Sequence, residues 1–462
     1  MLQQIDIKKI LFFGILLFTV TFLYTLARDI KDVLIVTSPD AGAETILALK
    51  EVGLFAPKLI LFGLFLLFYR KNNLLKIFHV TFLGAITFFF IFHLYVYPHA
   101  ALFHPSPSSI QAWITSSPAD EGWIRAYGIW TYSLYYLLAS VLELFTIAFL
   151  FWALANQTFT MQSAKLGYPL LLIFPALAMS LAGYVIGKIA DDFAITMQAV
   201  GWLMMAGLIV YGLLFLYENK SDFYKVFDVN TLPPVTMAPK NKSMILLFIF
   251  LIILAYGICQ STLNIVWKSS LQEFSKTTGG FEFFMNVYSQ YLAWGVLIIF
   301  LATFWVIYKF GWLRAALIPP VMTLLTTILI MVFVLFPEVG QTWANLFHLE
   351  GQFFLSSLLT MQNILLAGLG FLFLVTKEMA YIPLPLTTKA RGKGVIDFLL
   401  GDYKLFGFLL GAFIVTINPT SGAELIQENQ TFLLAGVALV SVLWILAVLY
   451  LGKMLKEVEK NL

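Results

Sequence analysis

A few charged residues stand where the sequence around them is built for hydrocarbon. Arg28 and Lys31 close the first long apolar run in Arg28-Asp29-Ile30-Lys31-Asp32, Glu143 sits in the middle of the fourth, and Asp402 and Lys404 sit in the middle of the eleventh. A charged side chain inside a bilayer costs about 2.5–3.5 kcal/mol or more, so such groups face a wet cavity, pair with one another and mark ligand paths. Residues 28, 31 and 32 share one helix face by the i, i+3, i+4 rule, which puts two cations beside a carboxylate. Two cations on one face suit an anionic ligand. The alternative is that the helix has already left the hydrocarbon there and that these are solvated interface charges.

A second cluster, Lys377-Glu378 followed by Lys389, Arg391, Lys393 and Asp397, also has the cations to bind phosphate, although an inner loop is basic in any case. Lys404 has Asp402 and Asp397 as candidate partners, and Glu143 suits a bound proton or a cation such as Arg125 or Lys404; a purely structural ion pair is the competing reading of each. Tyr132 and Tyr136, with Trp130 and Tyr135, suit stacking on a flat ring, but an interfacial aromatic belt is the more ordinary explanation. His99 and His104 have no metal-site spacing, no GxxxxGK[ST] loop or HExxH is present, and no nucleophile stands at a readable distance from a base. These absences argue against an enzyme. An integral membrane enzyme acting on a phosphorylated or lipid substrate is the alternative of another class.

The elements that hold these residues follow from composition. Of 462 residues, 60% are hydrophobic and 11% charged, and the mean hydropathy is +0.89, too apolar for a soluble core. One cysteine excludes a disulfide scaffold, and +3 from 28 basic and 25 acidic residues excludes a nucleic-acid binder. About 20 apolar residues cross a bilayer as helix, and twelve such runs are expected, near 9–34, 45–69, 77–97, 126–154, 168–188, 197–217, 244–267, 283–308, 313–336, 353–376, 395–417 and 431–452. Lipid offers no partner to an open backbone, so all are helical. Lys and Arg concentrate on the side that holds both termini, which places the termini in the cytoplasm. The first run lacks a small-residue cleavage site and is too long for a cleaved signal, and the about nine residues before it leave no room for a transit peptide, which points to a bacterial inner membrane.

The longest inner connection, 218–243, is polar and proline-containing and divides the spans six and six. The expected fold is all-α, with a six-helix bundle over 1–217, a cytoplasmic linker over 218–243 and a second bundle over 244–462, major-facilitator-like. Such bundles rock around a central site.

The segments that carry these charges resemble those of the non-mitochondrial ATP/ADP translocases, the nucleotide transporters of plastids and obligate intracellular bacteria. Arg28 through Thr37 with Gly42-Ala43-Glu44 resembles that family's RDTKDVLVVT…GAE. Phe151 through Gln157, with Ala164-Lys165 and Tyr168-Pro169-Leu170, resembles FWGFANQ…AK..YPL. Ala255 through Ile258 with Trp267-Lys268-Ser269 resembles AYGI…WKS, and Met361-Gln362-Asn363, Lys377 through Leu384 and Thr388 through Asp397 resemble MQN, KEMAYIPL and TK.KGK..ID. The resemblance spans both halves and implies a twelve-span transporter of ATP and ADP, without cofactor. It implies substrate contacts for Lys31 and Lys377. Three positions depart: Ser140 and Asn264 stand where the family has glutamates, and Asp402 through Gly407 replaces GKSGG. A serine or asparagine only hydrogen-bonds where a carboxylate holds charge or a proton, so coupling is expected to differ.

The resulting expectation is ATP/ADP exchange by alternating access, with a cationic central cavity. Arg28, Lys31, Lys377, Lys268 and Lys404 would meet phosphates, and Tyr132, Tyr136, Asn264 and Asn363 the nucleoside; Glu143, Ser140 and Asp397 are coupling candidates, with phosphate or a proton as co-substrate. Proton-coupled import of a nucleotide, NAD or another phosphorylated metabolite is the alternative.

Overall fold

The computed structural model describes residues 7–36, 38, 45, 49, 53–69, 74–117, 120–189, 193–220, 239–274, 278–400 and 429–460, and nearly all of the described chain is helical. The chain divides into two compact units. The first comprises Met1–Phe159, Leu170–Pro233 and Lys389–Leu399, the second Thr160–Pro169, Pro234–Thr388 and Leu400–Leu462. Residues 160–169, most of them in α8 (Met161–Leu171), and 389–399 therefore each belong with the other half of the sequence, which run-lengths of hydropathy do not reveal.

The first unit is organised on α1 (Ile7–Val36), which packs on α9 (Ile173–Ile189) and on α6 (Trp130–Glu143). Around them lie α2 (Phe55–Tyr69), α3 (Leu74–Ile91) and α10 (Phe193–Lys220). Two short helices, α4 (Pro107–Ser116) and α5 (Glu121–Gly128), precede α6; α4 starts on Ser106, whose hydroxyl accepts from the Ser109 N–H, with Pro107 in the first turn. The fourth span changes pitch within itself. Directly after Glu143 the chain is π-helical from Leu144 to Phe151 and then returns to α-helix in α7 (Trp152–Thr158). Local π geometry inside an α-helix re-aims side chains and often accompanies function. Phenylalanines fill the space there: Phe65 meets Phe149 edge-to-face at 4.8 Å and Phe145 meets Phe398 at 4.9 Å.

In the second unit α11 (Pro239–Phe274), α12 (Thr278–Leu335), α14 (Gly351–Tyr381) and α16 (Gln430–Lys460) pack side by side. α12 is broken at Gly311, whose φ of +75° suits a residue without Cβ. That break falls between the runs expected at 283–308 and 313–336. The short α13 (Pro337–Leu346) precedes α14, and α15 (Leu386–Lys393) follows it. Among the described residues nine segments are long and apolar enough to cross a membrane, and Phe55–Tyr69 is a shorter apolar helix. Of the run expected at 395–417, residues beyond 400 lie outside the described residues, as do Asp402 and Lys404 and most of the connection expected at 218–243.

Candidate functional site: an arginine, a lysine and a carboxylate on facing helices

Arg28 and Lys31 lie one turn apart on α1, and Tyr136, Ser140 and Glu143 lie at i, i+4 and i+7 on α6, so each set occupies one helix face. The packing of α1 on α6 brings the two faces together. Arg28 donates from Nε and Nη2 to Asp29 Oδ1 at 3.1 and 3.0 Å. Its Nη1 stands 3.7 Å from Glu143 Oε1, beyond hydrogen-bond range. The Lys31 ammonium sits 4.3 Å from the centroid of the Tyr136 ring, a cation–π contact worth about 0.5–1 kcal/mol at partly exposed sites. Ser140 donates back to the Tyr136 carbonyl at 2.9 Å, so its hydroxyl proton serves its own helix. The side chains of Arg28 and Glu143 are 37% and 26% exposed, which leaves the cluster reachable by a ligand.

Buried bonds hold this arrangement. The Tyr24 and Thr146 hydroxyls meet at 2.9 Å and tie α1 to the π-helical stretch just past Glu143. Tyr135 donates to the Ala27 carbonyl, the residue before Arg28, at 3.3 Å, and its oxygen lies 3.0 Å from His93 Nε2. These anchors carry no mark in the sequence. Tyr24 sits four residues before Arg28 on α1, a spacing that shares a face, but only the packing reveals its partner.

Tyr132 is placed elsewhere. Its ring meets His104 edge-to-face at 4.7 Å and Tyr97 at 6.0 Å, an aromatic group at the end of the helix remote from Glu143. Eleven residues of helix, about 16 Å, separate Tyr132 from Glu143.

In the second unit Lys377 pairs with the fully buried Glu378 at 2.9 Å. Lys377 also lines a small cavity with Trp312, Phe373, Thr376 and Trp444. Asn363, on the same helix, is buried and donates to the Leu359 carbonyl at 3.0 Å; fourteen residues, about 21 Å of helix, lie between it and Lys377. Asn264 and Lys268 are one turn apart on α11. Lys268 is exposed, and Asn264 Oδ1 is buried with no hydrogen-bond partner among the described residues. Neighbouring Trp267 donates to Thr360 at 2.9 Å and ties α11 to α14.

The basic segment after α14 is largely engaged. Lys393 and Asp397 form a buried pair within one helical turn. Lys389 donates to the Asn156 carbonyl at 2.6 Å and Lys9 to the Thr158 carbonyl, so two ammonium groups satisfy carbonyls at the end of α7. Burial lowers the Lys389 pKa from its ordinary value of 10.5 to about 7. Close packing sets the segment's place: a Cβ on Gly394 would lie 2.6 Å from the Phe62 ring.

Among the described residues the chain is nearly all helical, with several membrane-length spans and a sparse set of partly exposed charges on facing helices, the arrangement of a multi-pass integral membrane protein. A bacterial homologue of the iron transporter ferroportin, in an outward-facing state, shares the fold with a TM-score of 0.61 over 97% of this chain and 100% of its own, at 12% identity. The chain belongs to the TLC ATP/ADP transporter family, which it matches over residues 1–232 and 235–455. Its relatives include ADP,ATP carrier protein 1 of Chlamydia pneumoniae, 30% identical over 90% of this chain and 86% of that protein, and ADP,ATP carrier protein 1 of Rickettsia bellii, 26% identical over 100% and 96%. The protein is thus a transporter and not an enzyme.

Proposed function

We propose that this protein exchanges ATP for ADP across the membrane by alternating access, and that Arg28 and Lys31 bind the phosphates. The observation that carries the phosphate assignment is the geometry of Arg28: Asp29 occupies Nε and Nη2, while Nη1 is turned towards Glu143 without a hydrogen bond to it. A guanidinium edge with donors to spare, one turn from an ammonium, suits a phosphate chain. The names of the relatives support ATP and ADP as substrates.

Lys377 is the corresponding cation of the second unit, and Tyr136, Asn264 and Asn363 are the candidates for nucleoside contacts. Twelve spans in two six-helix bundles joined by a cytoplasmic linker, with both termini in the cytoplasm of a bacterial inner membrane, complete the reading. ATP carries about one more negative charge than ADP near neutral pH, so exchange moves net charge unless phosphate or a proton accompanies it. The proximity of Glu143 to Arg28 favours a proton as companion, and it keeps proton-coupled import as the second reading.

Ligand-induced stabilisation tests the phosphate contacts. A ligand that binds only the folded state at a hundred times its Kd adds about 2.7 kcal/mol. ATP and ADP should raise the melting temperature of the purified protein and adenosine should not. Equal shifts from adenosine would remove the phosphate-based reading.

A further inference from the structure

We propose that α13 lies flat in the membrane interface and docks by one apolar face on a zwitterionic lipid surface. This contact is independent of how nucleotide binds. The helix is short and bounded at both ends. Pro337 occupies its first turn, where a missing N–H costs no hydrogen bond. At the other end the Leu349 N–H donates to the Ala344 carbonyl at 2.9 Å and the His348 N–H to the Asn345 carbonyl at 3.1 Å, with His348 at a φ of +57°. Those two bonds around a left-handed residue are a Schellman stop. Its ten residues make about 15 Å of helix, half of the about 30 Å hydrocarbon core, so α13 does not cross a bilayer.

The surface of α13 divides into three faces. Gly340 and Ala344, one turn apart, are buried, and the helix packs on α12 and α14; a Cβ on Gly340 would touch Phe333 of α12 at 3.7 Å. Glu338, Gln341, Thr342 and Asn345, at i, i+3, i+4 and i+7, make an exposed polar face. That face bonds within itself: Gln341 donates to Asn345 Oδ1 at 2.9 Å and the Thr342 hydroxyl to the Glu338 carbonyl at 2.8 Å. Val339, Trp343, Leu346 and Phe347, at i, i+4, i+7 and i+8, make the third face, which is apolar and between 39% and 69% exposed.

Where the helix stands says what covers that face. The membrane-length segment Trp305–Leu335 ends just before α13, and Phe353–Tyr381 begins just after it. The closing turns of the first segment carry an exposed apolar stripe at Leu325, Ile328, Leu329, Val332 and Leu335, spaced i, i+3, i+4, i+7 and i+10. On a membrane span such a stripe is the face turned to lipid. Exposed Phe336 carries it to the start of α13, whose apolar face continues the contact where hydrocarbon gives way to headgroups. Trp343 suits that boundary, where indole rings concentrate, and the polar face is left to headgroups and water. Charge selects the lipid. α13 carries Glu338 and no Lys or Arg, and Glu350 follows it. Anionic headgroups gain no attraction from such a helix, so apolar burial drives the contact and a zwitterionic surface fits it.

The test is the collision accessibility of a nitroxide on the full-length protein in phosphatidylcholine vesicles. Cys259→Ser removes the one native thiol. On that background Val339→Cys, Leu346→Cys, Gln341→Cys and Asn345→Cys each take a label at an exposed position, and a melting curve of each confirms folding. Oxygen, which concentrates in lipid, should relax the labels at 339 and 346 more than a water-soluble nickel chelate does, and the order should reverse at 341 and 345. Adding phosphatidylglycerol should leave these ratios unchanged. Nickel access at all four positions would put α13 in water, and low access of both reagents at 339 and 346 would mean that a second copy of the chain covers the face; either result overturns the proposal. Insertion that appears only with phosphatidylglycerol would overturn the zwitterionic assignment. Trp343→Phe gives a reading without labels: the share of emission that it removes should be quenched in the wild type by brominated phosphatidylcholine, and an unquenched share would overturn lipid contact at Trp343.

Discussion

Replacing Lys31 by alanine removes one of the two cations that α1 presents on the face packed against α6, without touching Arg28, Asp29 or Glu143. An ammonium and a phosphate oxygen at about 4 Å attract by about 1 kcal/mol in a water-like dielectric and about 4 kcal/mol at an effective dielectric near 20. Lys31 is partly exposed, and its neighbours Arg28 and Glu143 are 37% and 26% exposed, so solvent screening puts the loss in the lower part of that range. About 1–2 kcal/mol corresponds to roughly a 5- to 30-fold rise in the Kd for ATP. The fold should survive the loss of the cation–π contact to Tyr136. Calorimetric titration of wild type, Lys31→Ala and Lys31→Arg with ATP measures the difference, and a melting curve of each confirms folding. Arginine, which keeps the charge, should recover most of the affinity. High salt should narrow the gap between wild type and alanine. Wild-type affinity in a folded Lys31→Ala protein would refute the phosphate assignment.

Lys377→Ala should behave differently, since removing one partner of a buried pair with Glu378 typically costs about 3–5 kcal/mol; the melting temperature should fall, and the double replacement Lys377→Met with Glu378→Gln should recover most of it. Lys389 has a folded pKa of about 7, below its ordinary 10.5, so between those values the unfolded chain holds the extra proton and stability rises with pH. Lys389→Met should flatten that rise, and an unchanged slope in urea titrations at pH 7, 8.5 and 10 would contradict the assignment. Gly394→Ala places a Cβ 2.6 Å from Phe62 and 3.1 Å from Phe149, and such overpacking costs about 1–3 kcal/mol, read as a lowered melting temperature.

The membrane class, the helical content and the transporter fold were legible in the sequence because hydrocarbon imposes long apolar runs and forbids open backbone. The charged end of the first run was legible for the same reason: Arg28 and Lys31 are conspicuous against it. Their partners were less so. The spacing rule set 28, 31 and 32 on one face, yet the carboxylate bonded to Arg28 is its sequence neighbour Asp29, a side-chain choice that helical periodicity does not fix. Glu143 was visible as an isolated acid in a span, but a one-dimensional pattern cannot say that α1 packs on α6 and brings it to Arg28. Nor does it show that Tyr136 lies under Lys31 while Tyr132, four residues away, belongs to the aromatic group with His104 and Tyr97. The engagement of Lys389 and Lys9 with carbonyls of α7 joins positions far apart in the chain, and the basic composition of the 389–393 stretch read only as a charged inner loop.

The most direct test of exchange is uptake of labelled ATP into vesicles that hold the purified protein and are either loaded with unlabelled ADP or left empty. The account predicts rapid uptake into ADP-loaded vesicles and little into empty ones. Equal uptake into both would contradict exchange and establish coupled import.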